Sequence, residues 1–554
     1  MVLSAIALLW IGRDQTIRGD DLAYATRLAT QGLSHALLHT PPNKYLIAVP
    51  LVVYRVLWSI FGLDDYFPPR LLAVALVLTS GGLFYALVRQ QVGYVLALLA
   101  TVMLLFFGSG WEELLTAMRL PSLIAVASGL GALLALTKRE LLWDVVATGL
   151  LCVAVASHPT GVALTAAAAV VVLLSPAPRR WTRAWVFLVP AAIFLAWYLI
   201  WRTTAPTPFP TTNTASDVFL FVRESWVMLC ATVTGLSGVL PIPVYGQPVA
   251  QIVGALLFGL LVVVTVLRFR QLPPLFWAAL VGLAVLLVST IVSAGGFLRH
   301  PDEVRYLYPE TVLFLLVLAG LGASVTLPRW VQAAVSVVLV LGIASNLAML
   351  VNGGDVTRQY SQAITGRLSA YRIAGNDVIP SYQPDLLGPP AGLDLAAMRR
   401  FGSPALTPAE LLDASALTRQ SADRALVGSL GIEPKPTAKN PDRSGPTPRV
   451  INVTAGRVTH SGSCVVLSAP KGTSGQSGQE VLAELSLPPA GVEMSASDLS
   501  HAHLYLGRFA PPSVPLRPVQ GRFAMLEAPL GQSNIPWKLK VGSGQPTAVC
   551  GLAS

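Results

Sequence analysis

Charge is scarce in this chain. Of its 554 residues only 12% are Asp, Glu, Lys or Arg, whereas 53% are hydrophobic. A water-soluble fold of that length cannot hide so much apolar surface behind so few charges, and the mean hydropathy of +0.62 agrees. Cysteine is scarcer still, with four in the whole chain, too few for a disulfide-dense secreted scaffold. No motif interleaves aromatic with basic residues in the manner of a nucleic-acid-binding surface, and no long-period repeat is present. The net charge of +10 therefore points to cytoplasmic loops and lipid head groups, not to nucleic acid.

What is abundant is long apolar runs. After Met1 to Ile11 they fall at about 70–88, 92–108, 119–137, 141–157, 160–175, 184–201, 248–267, 275–294, 308–326 and 330–350. With the first they predict about 11 transmembrane helices. The first run is short for a full crossing, has no small-residue cleavage site after it, and reads as a helix cut short at its start. Turns carrying Arg89, Lys138 and Arg139, Arg179, Arg180 and Arg183, Arg268 and Arg270, and Arg329 are short and basic, so they are expected on the cytoplasmic side. Longer loops with Glu112, Glu113, Asp217, Glu224, Asp302, Glu303 and Glu310 are expected outside. The amino terminus is then cytoplasmic, and everything after Val351 extracytoplasmic, in a multi-pass protein of the cytoplasmic membrane. Tyr45 to Leu63 is apolar enough to cross, but a crossing there would turn every basic turn outward. It is expected to lie in the outer interface, with Tyr54, Trp58 and Tyr66 at the headgroup level.

Four regions follow. Residues 1–351 form the membrane domain, with a first outer loop at 12–69. Residues 352–432 read as helical, with Thr407, Pro408 and Glu410 opening a helix as a capping box. Residues 433–448 form a Pro-rich linker. Residues 449–554 alternate apolar and polar in short strands at Arg449–Val453, Ser463–Leu467, Glu480–Leu485, His503–Arg508, Phe523–Glu527 and Trp537–Val541, as a small β-sandwich would. Cys464 and Cys550 bracket this region and are expected to pair in an oxidising compartment, whereas Cys152 and Cys230 have no evident partner. The fold class is thus mainly α: a polytopic helix bundle with outer interfacial helices, followed by an extracytoplasmic α+β region.

The chemistry gathers at the outer ends of the spans. Arg18-Gly19-Asp20-Asp21-Leu22-Ala23-Tyr24 follows the first helix, and Leu22, Ala25, Leu28 and Ala29 continue at helical spacing up to Gly32. Asp20 and Asp21 therefore open an interfacial amphipathic helix. A carboxylate there can take a proton from an incoming hydroxyl, or hold a divalent ion such as Mg²⁺ or Mn²⁺ against a phosphate. It can equally be a plain helix cap favoured by the dipole. A second cluster runs Arg299-His300-Pro301-Asp302-Glu303-Val304-Arg305-Tyr306-Leu307-Tyr308-Pro309-Glu310. Arg299 and Arg305 match phosphate oxygens, and Tyr306 and Tyr308 could flank a sugar ring or an isoprenoid chain. An interfacial belt of Tyr and snorkelling Arg would explain part of that string, though not its density of charge. Trp111-Glu112-Glu113 with Arg119, and Ser157-His158-Pro159, form two lesser clusters. Their bland readings are solvated loop acids and a structural histidine.

The order of these pieces resembles the GT-C glycosyltransferases, and is most similar to the branch with protein O-mannosyltransferases and aminoarabinose transferases. The pieces are Asp20-Asp21, Pro41-Pro42-Asn43-Lys44, Phe61-Gly62, Arg70-Leu71, and late in the membrane domain Arg305-Tyr306-Leu307-Tyr308-Pro309. The likeness covers roughly residues 1–350; the family pair is often Asp-Glu, and the tail matches nothing in it. The resemblance implies transfer of a sugar from a polyprenyl-phosphate donor to an exported glycan or protein acceptor, at the outer face of the lipid bilayer. Asp20 or Asp21 would be the general base. Arg305, with Arg299 or Lys44, would hold the departing phosphate, and Tyr306, Tyr308, Glu113, His158 and Glu303 would contact substrate. Two other functions compete: a transporter or flippase of lipid-linked glycan, and a non-catalytic envelope-assembly scaffold. A transporter needs charges deep within the spans, where the sequence shows very few. A scaffold would tolerate loss of the acidic pair, which is present.

Overall fold

A computed structural model describes residues 1–39, 46–175, 179–201, 217–238, 248–294, 302–323, 328–384, 389–438, 440, 444–468 and 480–552. Packing sorts the chain into two units that interleave in sequence. The first holds Met1–Gln15, Gln31–Ile60 and Tyr66–Arg358; the second holds Thr16–Thr30, Phe61–Asp65 and Gln359–Ser554. Composition alone draws the boundary after residue 351 and keeps residues 16–30 with the membrane domain. The contacts of the folded chain group them with the carboxy-terminal unit.

The first unit is a bundle of apolar helices. Among the described residues, eight helical stretches are long and apolar enough to cross a membrane: Phe67–Val92, Tyr94–Leu115, Ala117–Leu136, Arg180–Trp201, Pro248–Gln271, Pro274–Ile291, Val304–Ala323 and Arg329–Asp377. The other three expected spans are the shorter apolar helices Val2–Ile11, Leu141–Val155 and Thr160–Leu173. All eleven apolar runs are thus helical, and the three short ones fall below the roughly 20 residues that a perpendicular crossing takes. One helix was not expected. Asp217–Ser237 contains Asp217 and Glu224, which the sequence places in an outer loop, and its charged first half masks the apolar second half, where Val227, Met228, Cys230 and Ala231 are buried.

Hydrocarbon offers backbone groups no partner, so helix ends inside such a bundle must be satisfied by protein. The carboxyl end of Val2–Ile11 is held by arginines. Arg70 Nη2 donates to the carbonyl of Leu8 at 3.0 Å and also to that of Leu9, and Arg358 Nη1 donates to Ile11 at 3.0 Å. At the carboxyl end of Asp217–Ser237 the device is Asn346. Its Nδ2 donates to the carbonyls of Gly235 at 3.0 Å, Leu236 at 3.2 Å and Gly342 at 3.0 Å, and its Oδ1 accepts from the Ser109 N–H at 3.4 Å. At a basic turn Arg183 grips Asp144 in a bidentate pair, Nε to Oδ2 at 2.8 Å and Nη2 to Oδ1 at 2.5 Å, with both side chains buried.

The helix Ala48–Phe61 matches the apolar segment expected in the interface, but its aromatic residues face protein. Tyr54 and Trp58 are buried and stacked with centroids 4.7 Å apart, and the Tyr54 hydroxyl donates to the Ala117 carbonyl at 2.7 Å. Tyr66 is buried as well, and Val52, Val56 and Ile60 form the exposed stripe. A buried tyrosine hydroxyl needs a hydrogen-bond partner, and the Ala117 carbonyl supplies it.

In the second unit the helix Asp20–Thr30 packs on Ala391–Phe401. Asp21, Leu22, Tyr24, Ala25, Thr26, Arg27 and Leu28 are buried, so protein covers the apolar face expected to meet the membrane. The turn Phe61–Asp65 joins the same helix: the Leu63 N–H donates to the Phe401 carbonyl at 2.8 Å. Gly62 is required there, since its φ is +75° and a Cβ would sit 2.3 Å from Asp64 Oδ1. Helix Pro408–Asp413 opens with the Thr407/Glu410 capping box.

The strands form two antiparallel sheets. They are β1 (Lys435–Pro436), β2 (Arg449–Ala455), β3 (Arg457–Ser461), β4 (Cys464–Ser468), β5 (Val481–Ser486), β6 (Val492–Ser495), β7 (His503–Gly507), β8 (Val514–Pro515), β9 (Phe523–Leu526), β10 (Lys538–Ser543) and β11 (Thr547–Gly551). One sheet runs β1-β9-β6-β11-β4-β3 and the other β2-β5-β10-β7-β8. The six expected strands correspond to β2, β4, β5, β7, β9 and β10, each within two residues at either end. The Pro-rich stretch 433–448 does more than link, because β1 lies in it and pairs with β9. Cys464 and Cys550 are joined by a disulfide between directly paired positions of β4 and β11. Helix Ala416–Ser429 docks on the strands through Asp423, whose carboxylate accepts the N–H groups of Arg508, Phe509 and Ala510 at 2.9–3.2 Å. Arg508 is fully buried and donates to the Ile535 carbonyl at 2.8 Å and the Ser533 carbonyl at 2.7 Å.

Replacing Asn346 by Leu keeps the volume but strips the carbonyls of Gly235 and Leu236 of their donor. The expected loss is about 1–2 kcal/mol, read as a lower thermal unfolding midpoint in detergent. An unchanged midpoint would show that those carbonyls find another donor.

Candidate functional site

Three polar segments meet at one end of the helical unit. The first is Gly108–Arg119, where the bundle helix Tyr94–Leu105 breaks into two short turns of 3₁₀ helix around the single-turn helix Trp111–Leu115. Two glycines in Gly108-Ser109-Gly110 let the chain turn tightly against its neighbours; a Cβ on Gly110 would lie 3.1 Å from Tyr308 Cβ. The second is the turn 156–159, tied to the start of helix Ala48–Phe61 by the Val49 N–H on the Ala156 carbonyl at 3.1 Å. The third is Asp302–Tyr308, which opens the helix Val304–Ala323.

Charge pairs organise this end. Arg119 Nη2 meets Glu112 Oε1 at 2.7 Å, with little of either side chain exposed. Arg305 Nε meets Glu303 Oε2 at 2.7 Å, and here both side chains keep roughly a quarter to a third of their surface, 31% and 26%. Glu113 is buried and lies within electrostatic reach of Arg119, Glu112 and Arg305. Its Oε2 has no hydrogen-bond partner among the described residues. Tyr308 lies within reach of Glu113 and is fully buried, so its ring is packed in the bundle and Tyr306 is the one that keeps some surface. Glu310, expected in an outer loop, is fully buried inside Val304–Ala323.

His158 belongs to the same neighbourhood. Its Nδ1 accepts the Thr160 N–H at 3.3 Å and lies 2.8 Å from the Thr160 hydroxyl, so it caps the helix Thr160–Leu173. That places the ring proton on Nε2. Burial, with the Arg119 guanidinium second, pushes the imidazole down to about 3 from 6.5.

The expected site residues therefore fall into groups. Arg305, Glu303, Glu113, His158, Tyr306 and Tyr308 share the first unit. Asp20 and Asp21 belong to the second, in the first turn of Asp20–Thr30, with Asp21 fully buried and Asp20 half-buried. Arg299 and Lys44 lie outside the described residues. Among the described residues no group of three His, Cys, Asp or Glu side chains is placed to hold a metal ion. The weight of Arg119 was missed. Its position opening one span, as Arg305 opens another, was the available signal, and the sequence could not show that the two meet around Glu113.

No protein-family profile matches the chain, and no curated protein sequence matches it. Among solved structures it is similar to the archaeal oligosaccharyltransferase AglB from Archaeoglobus fulgidus, determined with an inhibitory peptide and a dolichol-phosphate. The identity is 13% and the TM-score 0.33, over 74% of this chain. The chain spans 59% of that protein. At that score the backbones superpose only loosely, and the likeness carries no functional argument.

His158 gives a pH prediction. A histidine held neutral in the fold contributes stability above its unfolded value near 6.5 and loses it as pH falls toward 3. Between pH 7.5 and 4.5 the wild type should lose on the order of 2 kcal/mol more than His158→Gln. Thermal unfolding in detergent at both pH values checks it, and equal losses would mean that the imidazole titrates normally.

Proposed function

We propose that the protein is a membrane glycosyltransferase that takes a sugar from a polyprenyl-phosphate donor and passes it to an exported glycan or protein at the outer face of the cytoplasmic membrane. The observation that carries this reading is the arginine pair Arg119 and Arg305 around buried Glu113, at the ends of apolar helices. Fixed guanidinium groups beside a lipid surface suit a phosphate attached to a lipid tail. The order of short motifs from Asp20-Asp21 to Arg305-Tyr306-Leu307-Tyr308-Pro309 supports it from the sequence side.

The chemistry is a displacement at the anomeric carbon. The acceptor oxygen forms the new bond to that carbon as the carbon–oxygen bond to phosphate breaks, and the electron pair stays on the phosphate oxygen. The acceptor proton passes to a carboxylate. Asp20 suits that role better than Asp21, since an incoming hydroxyl needs access and Asp21 has no exposed surface. Arg305 stabilises the charge that develops on the leaving phosphate. Tyr306 offers a ring to the sugar or the prenyl chain.

The transporter reading draws on one observation, the buried Glu310 inside a span. Sugar transfer by purified protein, with radiolabelled polyprenyl-phosphate sugars and an envelope glycan extract, separates the two. Asp20→Asn should reduce transfer by about 10²–10⁴-fold with folding intact. Asp21→Asn should act mainly through a lower unfolding midpoint. Full activity in Asp20→Asn would remove the base, and movement of the lipid-linked glycan without transfer would favour transport.

A further inference from the structure

Arg305 is held in an unusual way. Among the described residues its ion partner is Glu303, two positions earlier in the chain. The atoms are 2.7 Å apart, yet neither Arg305 Nε nor Glu303 Oε2 is in hydrogen-bond geometry. The contrast with Arg183 is direct: there two aligned hydrogen bonds lock the guanidinium on Asp144, and both side chains are buried. Arg119 likewise donates a properly aligned bond to Glu112. The Arg305–Glu303 contact is thus the misaligned, partly exposed pair of the three, and such a pair resists displacement least. Glu303 precedes the first residue of the 20-residue helix Val304–Ala323, so its carboxylate also lies where the dipole favours a negative group. A phosphate would compete with that carboxylate for the same guanidinium.

We infer that Glu303 is an internal competitor of the phosphate: it occupies Arg305 when no lipid phosphate is bound, gives way to the donor, and returns to displace the product. This rests on the reading of Arg305 as the phosphate-binding residue. The need for it follows from charge. The donor phosphate is a diester with one negative charge, and when the sugar leaves it becomes a monoester with about 1.5 to 2 negative charges at neutral pH. A fixed arginine therefore holds the product more tightly than the donor. The displaced Glu303 carboxylate stays beside the site and repels the doubly charged product more than the singly charged donor, which offsets the difference, and by reclaiming the guanidinium it promotes departure of the spent carrier. Glu303 is a positioning residue in this account, and it touches Arg305 instead of the sugar.

The test is binding of geranyl monophosphate, its methyl phosphodiester and geraniol to the full chain in nanodiscs, by isothermal titration. Glu303→Gln should bind the monophosphate about fivefold tighter than wild type, the diester less so, and geraniol unchanged. Glu303→Ser, which keeps a small polar group at the helix start, should behave alike if Gln disturbs folding. Arg305→Gln should lose the preference for monophosphate over geraniol. If Arg305→Gln binds the monophosphate as wild type does, or wild type shows no preference for it over geraniol, the phosphate reading of Arg305 itself fails. If Arg305→Gln loses that preference while both Glu303 variants bind as wild type or more weakly, Arg305 stands and the competitor role of Glu303 is overturned. In the transfer assay, the Glu303 variants should show stronger inhibition by added polyprenyl phosphate.

Discussion

A backbone carbonyl in hydrocarbon must be given a donor from within the protein, and much of the helical unit is arranged around that demand. The first helix ends on carbonyls that Arg70 and Arg358 satisfy, and the helix Asp217–Ser237 ends on carbonyls that Asn346 satisfies. Each of these residues lies far in sequence from the helix it caps, so the caps also fix which helices are neighbours. Removing one would loosen a joint and expose a helix end together.

This demand sorts the arginines. Arg70 and Arg358 serve carbonyls, and Arg183 and Arg119 are engaged by carboxylates in hydrogen-bond geometry. Arg305 is held by a contact without that geometry, at a place where its side chain keeps surface. A guanidinium fixed on a buried carbonyl or carboxylate is a structural joint, and Arg305 differs from these by keeping about a third of its side-chain surface. The acidic residues sort in a similar way. Asp144 and Asp423 are buried, bonded within their units and hold elements together, whereas Asp20 is only half-buried.

How far the sequence could be read follows from the kind of interaction at each place. Apolar runs are a composition signal, and all eleven became helices. Strong alternation, as in Val481–Ser486, was likewise legible. The helix Asp217–Ser237 was not, because Arg223 and Glu224 dilute its hydropathy while its buried stretch of Val227 to Thr234 is short. β3 escaped because Arg457, Thr459 and His460 are polar and exposed, so pairing with β4 defines it and not any apolar face. The helix Asp20–Thr30 was found with its acids correctly at the start, but what covers it was not. An apolar stripe looks the same whether it meets lipid or the helix Ala391–Phe401. Tyr308 illustrates the same limit, since a tyrosine string reads equally well as a platform or as packing.

The strand β11 has a consequence for how the molecule is made. It lies between β4 and β6, and its Cys550 closes the disulfide with Cys464. Until residues 547–551 have been synthesised and delivered, the larger sheet is two separate halves, β1-β9-β6 and β4-β3, with an open edge on each. Those edges are templates for pairing with other chains. The larger sheet is therefore completed only once β11 has joined it, and the oxidation of one cysteine pair is the event that makes the arrangement permanent. A chaperone or oxidase acting on this chain would have its substrate in that interval, and a chain that stops before Thr547 would be left with the edges of an aggregating protein.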